Sequence, residues 1–197
     1  MKEMKTTAQV LVDCLEAEGV DVMFGIPGEE TLDLMFAIRD SKIRFIPVRH
    51  EQGAAFMADV YGRLTGRAGG CLSTLGPGAT NLVTGVADAY LDGAPLGAIT
   101  GQGGTDRMQL TSHQYLDLTA MFEPITKRSK QIIRPDTVGE IVRLAFKHAE
   151  KGKPGATHTG LPQNMAKMPA DAVPLKRQQM HEVYADPTHI AAAGKII

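Results

Sequence analysis

Ile43-Arg44-Phe45-Ile46-Pro47-Val48-Arg49-His50-Glu51-Gln52-Gly53-Ala54-Ala55-Phe56-Met57-Ala58-Asp59 joins an apolar segment to a run of very small residues through one carboxylate. Residues 43–48 read as a strand and residues 51–65 as a helix, so Glu51 stands at a strand-to-helix junction. At the carboxyl edge of a parallel sheet such a side chain points into the crevice where α/β proteins bind ligands. Gly53, Ala54 and Ala55 would let a second surface approach closely. Read locally, Glu51 has two roles open to it. It is either a first-turn acid favoured by the helix dipole or a group that holds and polarises a ligand.

The same strand-helix unit recurs on both sides of this stretch. Upstream, Thr6 and Gln9 have the spacing of a capping box, and Val10, Leu11, Cys14 and Leu15 form an apolar stripe that ends at Gly19. A strand over 20–25 follows, then the turn Gly25-Ile26-Pro27-Gly28 and a helix over 29–40 with Leu32, Leu34, Met35, Phe36 and Ile38 spaced for burial. Downstream come a strand over 70–75, a helix over 78–91 and a strand over 95–101. A polar, glycine-rich stretch over 101–121 is long for a connector, and loops of that kind usually carry function. A strand over 126–133, a helix capped by Asp136 and running to about residue 150, and a strand over 156–161 complete the pattern. Strands without polar alternation, each followed by a helix, predict an α/β fold with a mostly parallel sheet of about six strands and helices on both faces. The packed domain is expected over 1–164. Residues 165–197 read as a proline-dotted linker and, from the helix start Asp186-Pro187, the beginning of a truncated central domain.

Composition narrows the classes. The chain of 197 residues is 43% hydrophobic and 22% charged with a net charge of −1, which is ordinary for a globular protein and gives no electrostatic reason to expect nucleic acid or an anionic membrane as partner. No run approaches the roughly 18 apolar residues of a membrane span, and the charged stretch Met1-Lys2-Glu3-Met4-Lys5 has no apolar core region of a signal peptide behind it. A cytoplasmic location is the expectation. Cys14 and Cys71 lack the clustering of a zinc or disulfide framework and read as buried free thiols.

Among the motifs, Ser73-Thr74-Leu75-Gly76-Pro77-Gly78-Ala79-Thr80-Asn81 is a strand end, a glycine-proline turn and a helix start whose amides could face an anion or ligand. It lacks the lysine of a P-loop, and no Gly-x-Gly-x-x-Gly or Gly-x-Ser-x-Gly is present. The six histidines include no pair at metal-ligand spacing, so no metal site is expected. His148, His181 and His189 read as solvated. His113 lies beside Gln114 in the polar loop, where it either shuttles protons or serves loop hydrogen bonding.

Taken together, Gly25-Ile26-Pro27-Gly28, the stretch from His50 to Arg63, Gly76-Pro77-Gly78-Ala79-Thr80-Asn81, Ala87-Asp88-Ala89-Tyr90 and Thr100-Gly101-Gln102 resemble the pyrimidine-binding domain of thiamine-diphosphate enzymes, nearest the acetolactate synthase and 2-oxo acid decarboxylase branch. The order and spacing hold over about residues 6–164. The resemblance implies the thiamine-diphosphate-binding fold and thiamine diphosphate as cofactor. It assigns Glu51 a hydrogen bond to a ring nitrogen of the aminopyrimidine that favours the imino tautomer. Ile26, Pro27 and Gly28 would line one side of that ring, Thr74, Pro77 and Asn81 the facing side, and Gln114 would reach the reacting centre beside His113. Lys127 would lie toward the substrate channel. The implied partners are a second copy of the chain in a homodimer or higher homo-oligomer and a 2-oxo acid substrate such as pyruvate.

Two features depart from the family pattern. The synthases usually carry an aromatic residue where His113 stands and an acid where Tyr115 stands. The chain also has no Gly-Asp-Gly with a distant asparagine, the anchor for magnesium and the diphosphate. Magnesium is therefore expected on a diphosphate-binding domain absent from these residues, FAD is left open for a longer protein, and this chain alone is expected to be inactive. The alternatives are the small subunit of a two-chain decarboxylase and a non-catalytic dimerising module that kept the fold.

Overall fold

The computed structural model describes residues 4–108, 111–178 and 184–196; His181 lies outside them. Helix α1 (Thr7–Glu18) begins with the expected capping box. The Thr6 hydroxyl accepts the Gln9 amide, and the Gln9 side chain accepts the Thr6 amide, which satisfies two otherwise free N–H groups. Then come β1 (Val22–Gly25), a 3-10 turn (Glu29–Thr31), α2 (Leu32–Arg39), β2 (Arg44–Pro47), α3 (Glu51–Thr65), β3 (Gly69–Ser73), α4 (Pro77–Asp92) and β4 (Leu96–Gln102). The second half holds α5 (Leu118–Phe122), β5 (Ser129–Gln131), α6 (Val138–Glu150), β6 (Ala156–Pro162), α7 (Gln163–Lys167) and α8 (Pro187–Ala193).

The six strands form one sheet in the order β2-β1-β3-β4-β6-β5, and every neighbouring pair is parallel. Strands β3, β4 and β6 are buried along their whole length, which is why their sequences show no polar alternation. The edge strands β2 and β5 are short and partly exposed, as edges that resist pairing with other chains are. Helices α1, α2, α6 and α7 enclose a core containing Leu11, Leu15, Met23, Ile38 and Phe146. Helices α3, α4 and α5 contribute to a second core containing Ala55, Leu75, Leu82 and Phe122. The doubly covered parallel sheet is the α/β architecture that the sequence predicts.

From β1 the chain moves outward to β2 and then returns across β1 to β3. The loops that leave β1 and β3 thus diverge at their carboxyl ends, and a crevice opens between them. Three segments border it: the turn after β1, the start of α3 after β2, and the turn after β3.

The small residues of α3 have two uses. A β-carbon on Gly85 of α4 would come within 2.6 Å of the Ala55 β-carbon, and one on Gly62 within 2.2 Å of the Pro95 carbonyl oxygen. Ala54 and Ala55 are fully buried, so they serve close packing within the chain, where sequence reasoning expected them to face a second surface. Gly53 differs: a β-carbon there would meet nothing within 4 Å.

Other expectations change in detail. Asp136 does not cap α6. It sits inside a 3-10 turn (Pro135–Thr137), paired with Arg134 at 2.5 Å, and α6 starts at Val138. Position 164 falls within α7, and Met165 and Ala166 are buried in the core. The Thr7 amide and hydroxyl both donate to the Met168 carbonyl, at 2.8 and 2.9 Å, and the Ala170 amide donates to Lys5. The packed body thus continues to Ala170. Helix α8 begins where Asp186-Pro187 predicts, with the Asp186 carboxylate accepting the Thr188 amide at 2.8 Å.

Cys14 and Cys71 are buried free thiols, and burial pushes both up to about 12. His158 is buried between the hydroxyls of Thr100 and Ser129 and stacks on Phe122. Burial pushes its pKa down to about 3, so it is a neutral core histidine. His148 and His189 are exposed. Among the described residues no cluster of histidine, cysteine and acidic side chains could hold a metal ion, and no helix is long and apolar enough to cross a membrane.

Candidate functional site

Glu51 is the first residue of α3. His50 caps the helix, its Nδ1 accepting the Gln52 amide at 3.2 Å. This backbone direction turns the Glu51 side chain under the start of α4, where it is 8% exposed. Asn81, one turn into α4, donates its side-chain amide to Glu51 Oε2 at 2.9 Å. Oε1 accepts no hydrogen bond from the described residues, and it lies 3.3 Å from where a β-carbon on Gly78 would stand. The carboxylate therefore has one oxygen held by a neutral donor and one open.

The turn after β1 closes in from the other side. The Ile26 amide donates to the Leu72 carbonyl at 3.3 Å, which ties the turn to β3. Gly28 lies against Thr74: a β-carbon on Gly28 would come within 2.4 Å of the Thr74 β-carbon. Thr31 caps the turn, its hydroxyl accepting the Gly28 amide at 2.9 Å. Ile26 and Gly28 are half-buried and Pro27 is exposed.

The turn after β3 depends on Gly76, at φ 55° and ψ −121°, a conformation that side chains disfavour. It lets Pro77 occupy the first turn of α4, where its missing N–H costs nothing. It also admits the polar loop, for a β-carbon on Gly76 would come within 2.6 Å of the Gln114 carbonyl oxygen and 2.8 Å of the Gln114 β-carbon. Gln114 itself is left-handed at φ 57°. It is the third residue of a turn in which the Tyr115 amide donates to the Ser112 carbonyl at 3.2 Å, and that position favours positive φ.

Thr74 thus meets Gly28 and Gly78, Glu51 meets Gly78 and Asn81, and Gln114 lies against Gly76, while Ile26, Pro27 and Pro77 belong to the turns that carry these residues. His113 shares the Gln114 turn as an exposed side chain that makes no hydrogen bond with the others. Lys127 is a correction. Its amide donates to Ala156 at the start of β6, and its ammonium group donates to the carbonyls of Lys151 and Lys153 at 2.8 and 2.7 Å. It lies at the amino edge of the sheet, opposite the crevice, where it fastens the loop between α6 and β6.

Two side chains at the crevice carry no strong sequence signal. Glu30 Oε2 accepts the Thr74 hydroxyl at 3.1 Å, yet in sequence it is one of two acids at a helix start. Gln102 is 1% exposed; its amide nitrogen donates to the Leu116 carbonyl and its oxygen accepts the Gly103 amide, both at 2.9 Å. It anchors the polar loop at both ends. The signal was its place at the end of a fully buried strand, where a carboxamide needs partners.

The family described as "Thiamine pyrophosphate enzyme, N-terminal TPP binding domain" matches residues 5–121. The chain is 42% identical over 181 residues to "Acetolactate synthase, catabolic" of Raoultella terrigena, which covers 91% of this chain and 32% of that protein. It is 46% identical over 158 residues to "Probable acetolactate synthase large subunit" of Methanocaldococcus jannaschii, 80% of this chain and 27% of that protein. It is 43% identical over 159 residues to "Acetolactate synthase" of Bacillus subtilis, 80% and 28% respectively. The chain spans about a third or less of these relatives' lengths. A family match over more than half of the chain, falling on the three segments that enclose Glu51, means that the chain belongs to the thiamine pyrophosphate enzymes, as an N-terminal TPP-binding domain of acetolactate synthase type.

Proposed function

We propose that the chain is the cofactor-activating part of a thiamine-diphosphate-dependent decarboxylase or carboligase that acts on a 2-oxo acid such as pyruvate, and that it is silent without a diphosphate-binding domain. The observation that carries this reading is Glu51: a nearly buried carboxylate at the switch point, with a neutral amide on one oxygen and the other oxygen open. A purely structural acid so placed would be expected to have both oxygens satisfied.

The residues fit the pyrimidine half of the cofactor. Gly28 and Gly78 each pack too closely on Thr74 to carry a side chain, and the glycine at 78 leaves Oε1 of Glu51 uncovered for a ring nitrogen. Ile26, Pro27 and Gly28 would hold one face, Thr74, Pro77 and Asn81 the other, and Glu51 would take the hydrogen bond of a ring nitrogen. When bound, the cofactor supplies a nucleophilic carbon and an electron sink for loss of carbon dioxide. Gln114, braced on Gly76, would reach toward the reacting centre, with His113 beside it in the same turn. Magnesium and the diphosphate would be held by a separate diphosphate-binding domain, since these residues contain no Gly-Asp-Gly, and a homodimer or higher homo-oligomer would bring the two halves of the site together. A cytoplasmic location accords with this chemistry.

The test uses thiamine diphosphate, magnesium and pyruvate. The 197-residue chain should release no carbon dioxide alone and should do so when completed by a diphosphate-binding domain. In the completed protein Glu51→Gln should lower turnover by about 10²–10⁴-fold, the usual span for a group that moves a proton. Pyruvate turnover by the chain alone, or an unchanged rate for Glu51→Gln, would sink the proposal.

A further inference from the structure

The two oxygens of Glu51 have unlike surroundings, and the residues that make them so are unlike in kind. Asn81 occupies Oε2. Gly78 stands before Oε1, and a β-carbon there would sit 3.3 Å from that oxygen and 2.8 Å from the Thr74 methyl, Cγ2. Thr74 is not free to swing aside. Its hydroxyl donates to Glu30 Oε2 at 3.1 Å, and its β-carbon is pressed against Gly28. Glu30 therefore fixes Thr74, Thr74 fixes how near α4 begins, and the glycine leaves Oε1 uncovered.

A carboxylate has acceptor sites on both oxygens, and the last torsion of a glutamate is broad and roughly two-fold. Left alone, Glu51 would offer either oxygen over a range of angles, and a ligand would have to order it on binding. The Asn81 amide removes that freedom without cancelling the charge, as a guanidinium would.

We infer that Asn81 and Gly78, with Thr74 braced by Glu30, form a positioning device that withholds Oε2 of Glu51 and presents Oε1 alone to a ring nitrogen of an aminopyrimidine. The inference rests on the cofactor reading above. Asn81 acts through Glu51 and Gly78 acts by what it leaves uncovered, so both are positioning residues.

The probe is the aminopyrimidine alcohol that forms half of thiamine, added to the 197-residue chain and followed by nitrogen–proton correlation spectra. In the parent, the amides of Glu51 and Gly78 and the Asn81 side-chain amide should shift on titration. Gly78→Ala should keep the Asn81 side-chain signal at its Glu51-bonded position and weaken probe affinity by about tenfold. Adding Thr74→Ser removes the crowding methyl; the double variant should recover the thermal midpoint lost by Gly78→Ala but not the affinity. Asn81→Ala should stay folded and lose affinity several-fold.

Recovery of affinity in the double variant would mean that Gly78 serves packing against Thr74 alone, and would overturn the inference. Unchanged affinity in Gly78→Ala or Asn81→Ala would overturn it too, while leaving the cofactor reading in place if the parent still responds. A parent that shows no shift at Glu51 with the probe, both alone and when completed by a diphosphate-binding domain, overturns both.

Discussion

Glu51 and Glu18 are both nearly buried glutamates, 8% and 4% exposed, and they are treated in opposite ways. Glu18 closes the seam between α1 and α6. Its Oε1 meets Arg143 Nε at 3.1 Å, and Arg143 also donates to the carbonyls of Leu175 and Lys176. Nearby, Arg177 pairs with Glu150 at 2.8 Å, and Glu150 also accepts the Ala68 amide. Every charge at that seam is answered by a charge or by backbone, and the strand of chain after α7 is tied down in the process. Glu51 has a neutral amide and an open oxygen. The contrast separates a carboxylate that holds the fold together from one kept available.

The largest effect that would break this contrast is at Arg143. Arg143→Met leaves Glu18 buried without its cation and removes the strap's hydrogen bonds, which should cost about 3–5 kcal/mol of unfolding free energy by urea titration. Asn81→Ala removes one neutral hydrogen bond from a carboxylate with an open side and should cost about 1 kcal/mol. If Arg143→Met cost no more than Asn81→Ala, the two glutamates would not differ as described.

The next effect sharpens the same point through pH. Burial, only partly offset by Arg143, raises Glu18 from 4.5 to about 7, and the Glu150 charge adds to the rise. Between those values the unfolded chain has released the proton that the folded chain still holds, so stability must fall as pH rises through that window and level off above about 7. Allowing for solvent screening, the fall should be about 2 kcal/mol. Glu18→Gln keeps a polar partner for Arg143 and should flatten this part of the curve. The difference between parent and variant isolates Glu18 from His158, which acts with the opposite sign: held neutral down to about 3, it costs stability as pH falls below about 6.5. An identical pH dependence in parent and Glu18→Gln would refute the account of the seam.

The sequence makes the carboxyl-edge cleft legible and leaves the seam hidden, for a physical reason. The strands of the sheet and the glycine-proline turns are local patterns, and Glu51 announces itself by standing between them. Arg143 and Glu18 are far apart in the chain and look like solvated helix charges; only the packing of α1 on α6 makes them partners. Lys127 shows the same limit from the other side. The family resemblance pointed it toward the substrate channel, but a residue that precedes a parallel strand lies at the amino edge, and a strand that starts at Ser129, not at 126, puts it there. Gln114 was legible as a loop residue, whereas its left-handed backbone and its seat on Gly76 follow from the tertiary approach of the loop to α4.

The smallest expected effect concerns Gly53, in the first turn of α3 beside Glu51. Its neighbour Ala55 is packed against Gly85, where an added β-carbon would collide at 2.6 Å, but a β-carbon on Gly53 would meet nothing. Glycine within a helix is less stable than alanine by roughly 0.5–1 kcal/mol, so Gly53→Ala should stabilise the isolated chain by about that amount in thermal or urea unfolding. The chain by itself has no use for a glycine here. If the open face of α3 is where a second domain comes close in the assembled enzyme, the same substitution should weaken assembly or cofactor affinity while it raises the stability of the lone chain. Opposite signs in the two measurements would mark Gly53 as part of the open region. A gain in both would leave only Glu51 and its immediate neighbours on that side of the contrast.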